Sequence, residues 1–375
     1  MIFYYILCTA LAISYVYLLT GYMSSWNDIE EWSVPDDFFP TRFLSIIIPA
    51  RNEAKDITAC LRSISANNYP SDKFEIILID DHSEDETSKI ASLLEISNLT
   101  ILKQEENRQG KKQALKLGLQ KAKGELILTT DADCVYDERW LSTMVSFYES
   151  HQAKLVTGPI DFAKPKGLFQ KFQALDLNGL MVITAAGIQT DKQFMANGAN
   201  MLYSKNIFEE VNGFRGNEHL ASGDDMFLVH KVSELYPGDI HFVKSKTSVV
   251  STLAETSLKS FLDQRKRWAT KTTHYTDRRL LLVLSSVFLL CLTIVLNVFV
   301  FSFFNSLFLF IGLFQLFIKM ILDYLFLSNV TTYFGTSSLM KMFFPANIMH
   351  LFYITYSGIT GLFGGKYEWK GRRVS

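Results

Sequence analysis

The chain has 375 residues, which is enough for one large globular domain and several membrane segments. A net charge of −1 provides no basic field for nucleic acid, and the composition is not the acidic, aromatic-poor one of a disordered chain. The four cysteines include no CxxC pair, which argues against a zinc site or a disulfide framework. We therefore expect no nucleic acid partner and a soluble part that lies in a reducing compartment.

The first predicted element is a membrane anchor at residues 1–22. This stretch contains no charged side chain and is long enough to cross about 30 Å of hydrocarbon as a helix. It lacks the basic start and the small-residue cleavage site of a signal peptide. The pattern therefore predicts an anchor that is not cleaved.

Residues 40–270 form the predicted globular domain, in which short β-branched runs alternate with helical stretches. The strands are predicted at Leu44–Ala50, Glu75–Asp81, Leu99–Lys103 and Glu125–Asp133, and the helices at Ala54–Ala66, Glu86–Leu94 and Lys112–Ala122. This alternation predicts an α/β fold with a parallel sheet and right-handed crossovers. In such sheets ligands bind beyond the carboxyl ends of the strands.

Polar residues fall at those predicted strand ends. Arg51–Glu53 follow the first strand, Asp80 and Asp81 close the second, and Asp131 and Asp133 close the fourth. A single acid at such a position is more often a helix cap or a loop residue. Because three strand ends share one rim of the sheet, we expect a ligand site there.

The kind of ligand follows from what this rim lacks. No GxGxxG follows the first strand, and Gly110–Lys112 lacks the upstream glycine and the Ser or Thr of a Walker loop. Phosphates would then be held by a metal and by basic side chains. Carboxylates such as Asp131 and Asp133 suit Mg²⁺ or Mn²⁺, provided that the chain bends after the strand.

Beyond the domain, the sequence predicts membrane helices at 280–303, 304–328 and 343–363, of which the second is either transmembrane or re-entrant. The break between the first two lies near Asn305. Arg278 and Arg279 precede the first of these helices. The positive-inside rule then predicts a multi-pass protein of the cytoplasmic membrane, with its domain facing the cytoplasm.

Two features complicate this topology. Four full spans would leave the tail outside, whereas the basic residues of 366–373 prefer the inside. Lys319 and Asp323 lie one helical turn apart in an apolar run. They either pair with each other or mark a segment that does not cross.

Seven sequence blocks resemble, in the family's order, those of the inverting family 2 glycosyltransferases with the GT-A fold. They are SIIIPARNEA (Ser45–Ala54), IDDHSEDET (Ile79–Thr87), GKKQAL (Gly110–Leu115), the DxD motif in TTDADCV (Thr129–Val135), VNGFR (Val211–Arg215), GDDMFL (Gly223–Leu228) and QRKRW (Gln264–Trp268). His82 and Asn212 stand where the family usually has glycine. A membrane stretch directly after QRKRW resembles the membrane branch, which includes polysaccharide synthases and lipid glucosyltransferases.

The resemblance implies roles for the matched positions. Donor binding is implied for Ala50, Glu53, Asp81, Lys111, Asp131 and Arg267. Asp133 would ligate the metal, and Asp225 would be the general base that deprotonates the acceptor. Acceptor binding is implied for Asp224, Gln264 and Trp268, with Asp224 also the alternative base.

For four of these residues a structural role is the alternative. Asp224 and Asp225 open a predicted helix, where an acid commonly caps the amino terminus. Arg267 could be a juxtamembrane anchor, and Trp268 a residue of the interfacial aromatic belt.

The acceptor is suggested by Gly167–Ile188, an apolar stretch interrupted by two charges. It predicts either an amphipathic element on the membrane surface, or against the C-terminal helices, or a core helix. The first interpretation places a lipid or lipid-linked acceptor beside the donor, which we expect to be a UDP-sugar. The alternatives are a processive polysaccharide synthase, an inactive scaffold and a nucleotidyltransferase. The sequence does not indicate an oligomeric state.

Overall fold

The structure, a computed structural model, describes residues 1–192, 194–217, 223–270, 278–363, 367–369 and 372–374. The chain divides into two compact units. The sheet unit takes in Ile29–Ala163 and Phe194–Leu253. The helical unit takes in Met1–Asp28, Lys164–Gln193 and Ala254–Trp369.

The strands are short, and most belong to the sheet unit. In chain order they are β1 Leu44–Ala50, β2 Phe74–Asp80, β3 Leu99–Lys103, β4 Leu126–Thr129, β5 Leu155–Thr157, β6 Ile160–Phe162, β7 Met201–Ser204, β8 Ile240–Phe242, β9 Val250–Thr252, β10 Tyr367–Trp369 and β11 Arg372–Val374. One seven-stranded sheet has the order β3-β2-β1-β4-β7-β5-β8, and β6 pairs separately with β9.

The helices are divided between the two units. In chain order they are α1 Ile2–Asp28, α2 Ile57–Ser65, α3 Thr87–Ser92, α4 Lys111–Lys121, α5 Trp140–Ser150, α6 Gly167–Gln189, α7 Lys205–Glu210, α8 Asp224–Leu235, α9 Leu258–Thr270, α10 Arg278–Phe299, α11 Ser306–Tyr333 and α12 Phe343–Phe363. Short 3₁₀ turns lie at Ser71–Lys73, Lys246–Ser248, Phe301–Phe303 and Ser337–Met342.

The register of the sheet brings four strand ends to one edge. β1 and β2 are parallel with Ala50 opposite Asp80, and β2 and β3 are parallel with Asp80 opposite Lys103. β1 and β4 are also parallel, with Ile47 opposite Thr129. The predicted rim at the carboxyl ends of these strands is therefore present.

The parallel pairing predicted for these four strands is present, but the sheet as a whole is mixed. β7 runs antiparallel to both β4 and β5, which makes the sheet mixed. The chain leaves the sheet unit after β6 for α6 and then re-enters it through β7, so no α/β crossover sets the direction of this strand.

The core of the sheet unit is apolar on both faces of its central strands. Ile46, Ile47 and Ile48 of β1 are fully buried, as expected for a parallel strand covered by helices on both sides. α4 packs closely on β1 because Gly118 has no side chain: a Cβ there would lie 2.5 Å from Ile47 Cγ2. This close contact fixes the helix whose first residue is Lys111.

In the helical unit, three helices of the described chain are long and apolar enough to cross a membrane. They are Ile2–Asp28, Arg278–Phe303 and Ser306–Tyr333. Asn305 separates the last two and accepts a hydrogen bond from the Leu307 N–H at 2.9 Å, which begins α11. α12 forms where a further span was predicted, and its crossing of the membrane stays a prediction.

A buried polar cluster joins three helices of this unit. The Asp323 carboxylate accepts hydrogen bonds from Tyr15 of α1, from Lys319 of α11 and from Asn347 of α12. The Lys319 side chain is completely buried. The first of the two sequence hypotheses, that Lys319 and Asp323 pair, describes the contact that the structure shows.

Candidate active site

The turns after β1 and β2 are tied together by side chains of two motif blocks. The Asn52 side-chain oxygen accepts a hydrogen bond from the Glu84 N–H at 2.8 Å. The Glu53 N–H donates to the Thr87 hydroxyl, also at 2.8 Å. Side chains and backbone groups of these two blocks therefore hold the ends of β1 and β2 in a fixed relation.

Arg51, to which the sequence analysis gave no role, is the centre of this arrangement. Its side chain is buried, and it donates hydrogen bonds to the backbone carbonyls of Asp81 and His82. It also pairs with the Glu84 carboxylate at 2.8 Å. Arg51 thus holds the turn that carries Asp81, and its place inside the first motif block was the available sequence signal.

Three of the residues predicted to bind the donor, Ala50, Glu53 and Asp81, lie at adjacent strand ends. The Ala50 carbonyl accepts a hydrogen bond from the Asp81 N–H at 2.8 Å. The Asp81 carboxylate accepts one from the Gly110 N–H at 3.1 Å, which brings the loop before α4 to the same place. Glu53 is buried beside them at the end of β1.

Lys111 links two motifs that are distant in the sequence. Its Nζ lies 2.7 Å from Asp131 Oδ1 of the DxD motif and 3.6 Å from Asp224 Oδ2 of the GDD block. Burial alone would lower the pKa of the Lys111 ammonium, but the carboxylates of Asp131 and Asp224 more than compensate and hold the pKa above its usual value. A stable cation therefore sits between these two acidic motifs.

The DxD motif lies in a turn and not at the end of a strand. β4 ends at Thr129, which corrects the predicted strand Glu125–Asp133. The Cys134 N–H donates to the Asp131 carbonyl at 3.4 Å, so the chain turns at the motif itself. This is the bend that the metal hypothesis requires.

Three carboxylates of this rim influence the pKa of one buried thiol. Burial raises the pKa of the Cys60 thiol to about 12, and the nearby charges of Asp133, Glu53 and Asp131 contribute to the rise. The ends of β1 and β4 thus bring negative charge to the same small region.

The donor set of the rim fits a divalent cation that is shared with a substrate. No cluster of three or more His, Cys, Asp or Glu side chains suited to an ion occurs in the described ranges. Asp133 is half-buried, and its Oδ2 accepts a hydrogen bond from the Thr252 hydroxyl at 3.2 Å, whereas Asp131 is ion-paired with Lys111. Mg²⁺ is commonly held by one or two carboxylates together with water and substrate phosphates.

The two acids of the GDD block differ in their surroundings. α8 begins at Asp224 after Gly223, whose φ of +87° favours glycine. The Asp224 side chain is only 7% exposed and faces Lys111, whereas Asp225 is half-buried and accepts a hydrogen bond from the Gly198 N–H at 3.3 Å. Asp225 is therefore the more accessible carboxylate of the pair.

Gly198 was missed by the sequence analysis. A Cβ at this position would lie 3.1 Å from Asp224 Oδ2 and 3.3 Å from Lys111 Nζ, so the backbone must approach the acids without a side chain. Thr252, the partner of Asp133, was missed as well. Both are remote in sequence from the motifs, and only the fold brings them to the rim.

The QRKRW block lies on α9 in the helical unit. Gln264 contacts Glu255 at 3.4 Å, and Arg267 and Trp268 are half-buried. Arg265 is the buried residue of this block. Its Nη2 lies 2.7 Å from Asp176 Oδ2 of α6, and its Cζ lies 4.2 Å from the centroid of the Trp268 ring. The predicted contacts of Arg267 with a diphosphate and of Trp268 with an acceptor stay predictions.

Residues 45–211 match the family described as Glycosyl transferase family 2. The chain is 28% identical over 199 residues to glycosyltransferase AglE of Haloferax volcanii, covering 51% of this chain and 62% of AglE. It is 34% identical over 98 residues to undecaprenyl-phosphate 4-deoxy-4-formamido-L-arabinose transferase of Pseudomonas savastanoi pv. phaseolicola, covering 25% of this chain and 29% of that protein. The matched region thus spans less than two thirds of the length of either relative.

Among solved structures, the chain resembles mannosyltransferase PcManGT from Pyrobaculum calidifontis in complex with GDP-Man and Mn²⁺. The TM-score is 0.60 with 18% sequence identity, covering 96% of this chain and 98% of that chain. At this identity the likeness establishes the fold alone. Taken with the family match of residues 45–211, it shows a GT-A-like fold with a mixed α/β sheet.

Proposed function

We propose that this protein transfers a sugar, with inversion, from a UDP-sugar to a hydroxyl of a lipid or lipid-linked acceptor at the cytoplasmic face of the membrane. The observation that carries this proposal is the position of Lys111 between Asp131 and Asp224. It joins the motif expected to face the donor to the helix expected to carry the base, at one rim of the sheet unit.

The donor would lie along the rim. Ala50, Glu53 and Asp81 are the proposed contacts of the nucleoside, and Asp131 and Lys111 those of the sugar and phosphates. Asp133 would hold Mg²⁺ or Mn²⁺, which would neutralise charge on the diphosphate leaving group. Lys111 adds a fixed positive charge at the same place, and this arrangement favours diphosphate over a neutral ligand.

Asp225 would take the proton of the acceptor hydroxyl. General base catalysis of this kind contributes about 10²–10⁴-fold, and it requires a carboxylate that a substrate can reach. The greater accessibility of Asp225 over Asp224 supports this choice. Arg267 would bind the departing diphosphate through its guanidinium, which matches phosphate oxygens well.

A lipid-linked acceptor is supported by three observations. Three helices of the described residues are long and apolar enough to cross a membrane. One relative is named for its undecaprenyl phosphate substrate. Gln264 and Trp268, the proposed acceptor contacts, lie on α9 of the helical unit, where Arg265 and Asp176 attach this helix to α6.

The function is tested with the full chain in detergent, with UDP-sugars as donors and a lipid extract as acceptor. We expect EDTA to abolish release of UDP and Mn²⁺ or Mg²⁺ to restore it. Asp133→Ala should lose activity, whereas Asp137→Ala, at an exposed acid four residues further along the chain, should retain it. Full activity in EDTA would remove the metal from the mechanism. The length of the product separates single transfer from processive synthesis.

The orientation is tested separately in intact cells. A tag inserted in the 85–95 region should be labelled only after the cytoplasmic membrane is permeabilised, because Arg278 and Arg279 precede the second span. Labelling from outside would reverse the proposed orientation and exclude a cytosolic donor.

A further inference from the structure

The carboxylate of Asp133, the proposed metal ligand, contacts side chains at both of its oxygen atoms. Oδ2 accepts a hydrogen bond from the Thr252 hydroxyl at 3.2 Å. Oδ1 lies 3.6 Å from the sulfur of Cys134, whose thiol is a much weaker donor. Thr252 therefore makes the stronger of these two contacts, and it comes from β9, which is far from the DxD motif in the sequence.

Thr252 ends β9, and this strand lies directly beside the turn of the DxD motif. Val135 and Ser251 exchange backbone hydrogen bonds at 2.8 and 2.9 Å, which is the close pairing of an antiparallel bridge. One residue further along β9, the Thr252 side chain reaches Asp133 across the same pair of chain segments. The position of the hydroxyl is therefore set by backbone pairing on both sides of the contact.

The opposite edge of β9 is anchored by β6 and by a buried amide. The two strands pair in parallel, and the Ala163 N–H donates to the Thr252 carbonyl at 2.8 Å. The Asn200 side chain is fully buried and donates to the carbonyls of Pro159 and Ser248 at 2.9 and 2.8 Å. These bonds hold the segments that lead into β6 and β9, so Thr252 stands on a fixed support.

A carboxylate that binds a metal gains from such support. A free Asp side chain samples several rotamers, and this freedom is lost when a cation binds. A hydroxyl that donates to one oxygen fixes the carboxylate in advance. It still leaves room for the cation, because an ionised carboxylate has about four acceptor positions. Hydrogen-bond partners of this kind orient the ligands of many metal sites in proteins.

We propose that Thr252 is a positioning residue of the metal site: its hydroxyl holds the Asp133 carboxylate in the orientation that binds Mg²⁺ or Mn²⁺. The inference rests on the proposed function, in which Asp133 holds the cation. Thr252 itself would touch neither the metal nor the substrates. Its contribution should therefore appear as a higher affinity for the cation, because a ligand that is already ordered costs less to fix.

The test measures Mn²⁺ binding to the full chain in detergent by electron paramagnetic resonance, at a saturating concentration of UDP, or of GDP if the protein binds GDP instead. Thr252→Val keeps the shape of the side chain and removes the hydroxyl. We expect its Mn²⁺ affinity to fall by about 10–100-fold, the usual cost of losing such a partner. Thr252→Ser keeps the hydroxyl and should bind Mn²⁺ nearly as well as the wild type. The matched control is Thr100→Val, at an exposed position of β3.

Two further measurements separate an effect on the cation from general damage to the site. With EDTA present, Thr252→Val should bind the nucleotide as tightly as the wild type, because the hydroxyl orients only a ligand of the metal. Sugar transfer by Thr252→Val should recover as the Mn²⁺ concentration is raised. Asp133→Ala should stay inactive at the same concentrations, because it has lost the ligand itself.

The possible failures are distinguishable. If the wild-type protein binds nucleotide but no Mn²⁺, the metal of the proposed function is wrong and the inference fails with it. If the wild type binds Mn²⁺ and Thr252→Val binds it equally well, the inference alone fails. An equal loss of Mn²⁺ affinity in Thr252→Ser would also overturn it, because the hydroxyl would not be the cause. So would a loss of nucleotide affinity in EDTA, because the defect would then not concern the metal.

Discussion

One buried cluster of the helical unit and two side chains of the sheet unit differ in their hydrogen bonding. In the helical unit, Asp323 accepts hydrogen bonds from Tyr15, Lys319 and Asn347, so an ionic cluster in apolar surroundings is internally paired. At the rim of the sheet unit, Gln104 and His82 enclose polar atoms that pair with nothing in the described chain.

The difference bears on stability. A paired cluster favours one packing of its helices, since any other arrangement would leave a charge alone in an apolar environment. Unpaired polar groups lower stability instead. Removing one partner from the paired cluster should therefore cost far more than removing one of the unpaired groups.

The largest effect is expected when the cluster of the helical unit loses one of its charged partners. Asp323→Ala leaves the buried Lys319 ammonium without its counter-ion and should lower the free energy of unfolding by about 3–5 kcal/mol. The double variant Lys319→Met with Asp323→Leu removes both charges and should unfold close to the wild-type midpoint. Thermal unfolding in detergent measures both. A loss below about 1 kcal/mol in Asp323→Ala would show that water reaches the cluster.

A smaller effect is expected at the rim, and there it should concern turnover. Asp225→Asn should reduce turnover by about 10²-fold or more while nucleotide affinity changes little, because the base acts on the acceptor. Asp224→Asn is the control for the choice within the pair. If Asp225→Asn turns over normally and Asp224→Asn is inactive, the base is Asp224.

The smallest effect is expected at Asp161, a half-buried acid of the sheet unit that has no proposed role. Burial raises the pKa of its carboxyl to about 6, and the Phe162 N–H offsets only part of that rise. Between about pH 4 and pH 6 the folded state keeps a proton that the unfolded chain has released, so stability should fall as the pH rises through this range.

Asp161→Asn should remove that slope and raise the free energy of unfolding at pH 7 by about 2 kcal/mol. Unfolding midpoints at pH 4 and pH 7 for both proteins measure it. If the variant instead loses transfer activity with unchanged stability, Asp161 belongs to the site and the contrast between the two regions needs revision.

The fold was predictable where hydrophobic runs were long. β1 and β3 have the predicted bounds, and β2 is shifted by one residue. β5, β6 and β8 are three residues long and give almost no pattern in the sequence. The direction of β7 depends on the excursion of the chain through α6, which no local signal encodes.

The site was predictable to the extent that neighbours in sequence are neighbours at the rim. Asp131 and Asp133 could be found because they follow a strand. The close approach of Gly198 and the contact of Thr252 with Asp133 depend on tertiary structure. The solvent exclusion of Gln104 could not be read from a polar stretch of sequence, since burial there is set by the fold.

The hydrogen bond between Tyr15 and Asp323 joins positions 308 residues apart. At a synthesis rate of about 5–20 residues per second, roughly 15–60 s separate the appearance of the two partners on the ribosome. During that interval α1 must persist without the acid that pairs with it in the finished protein. The packing of α1 against α11 can therefore be completed only after most of the chain has been synthesised.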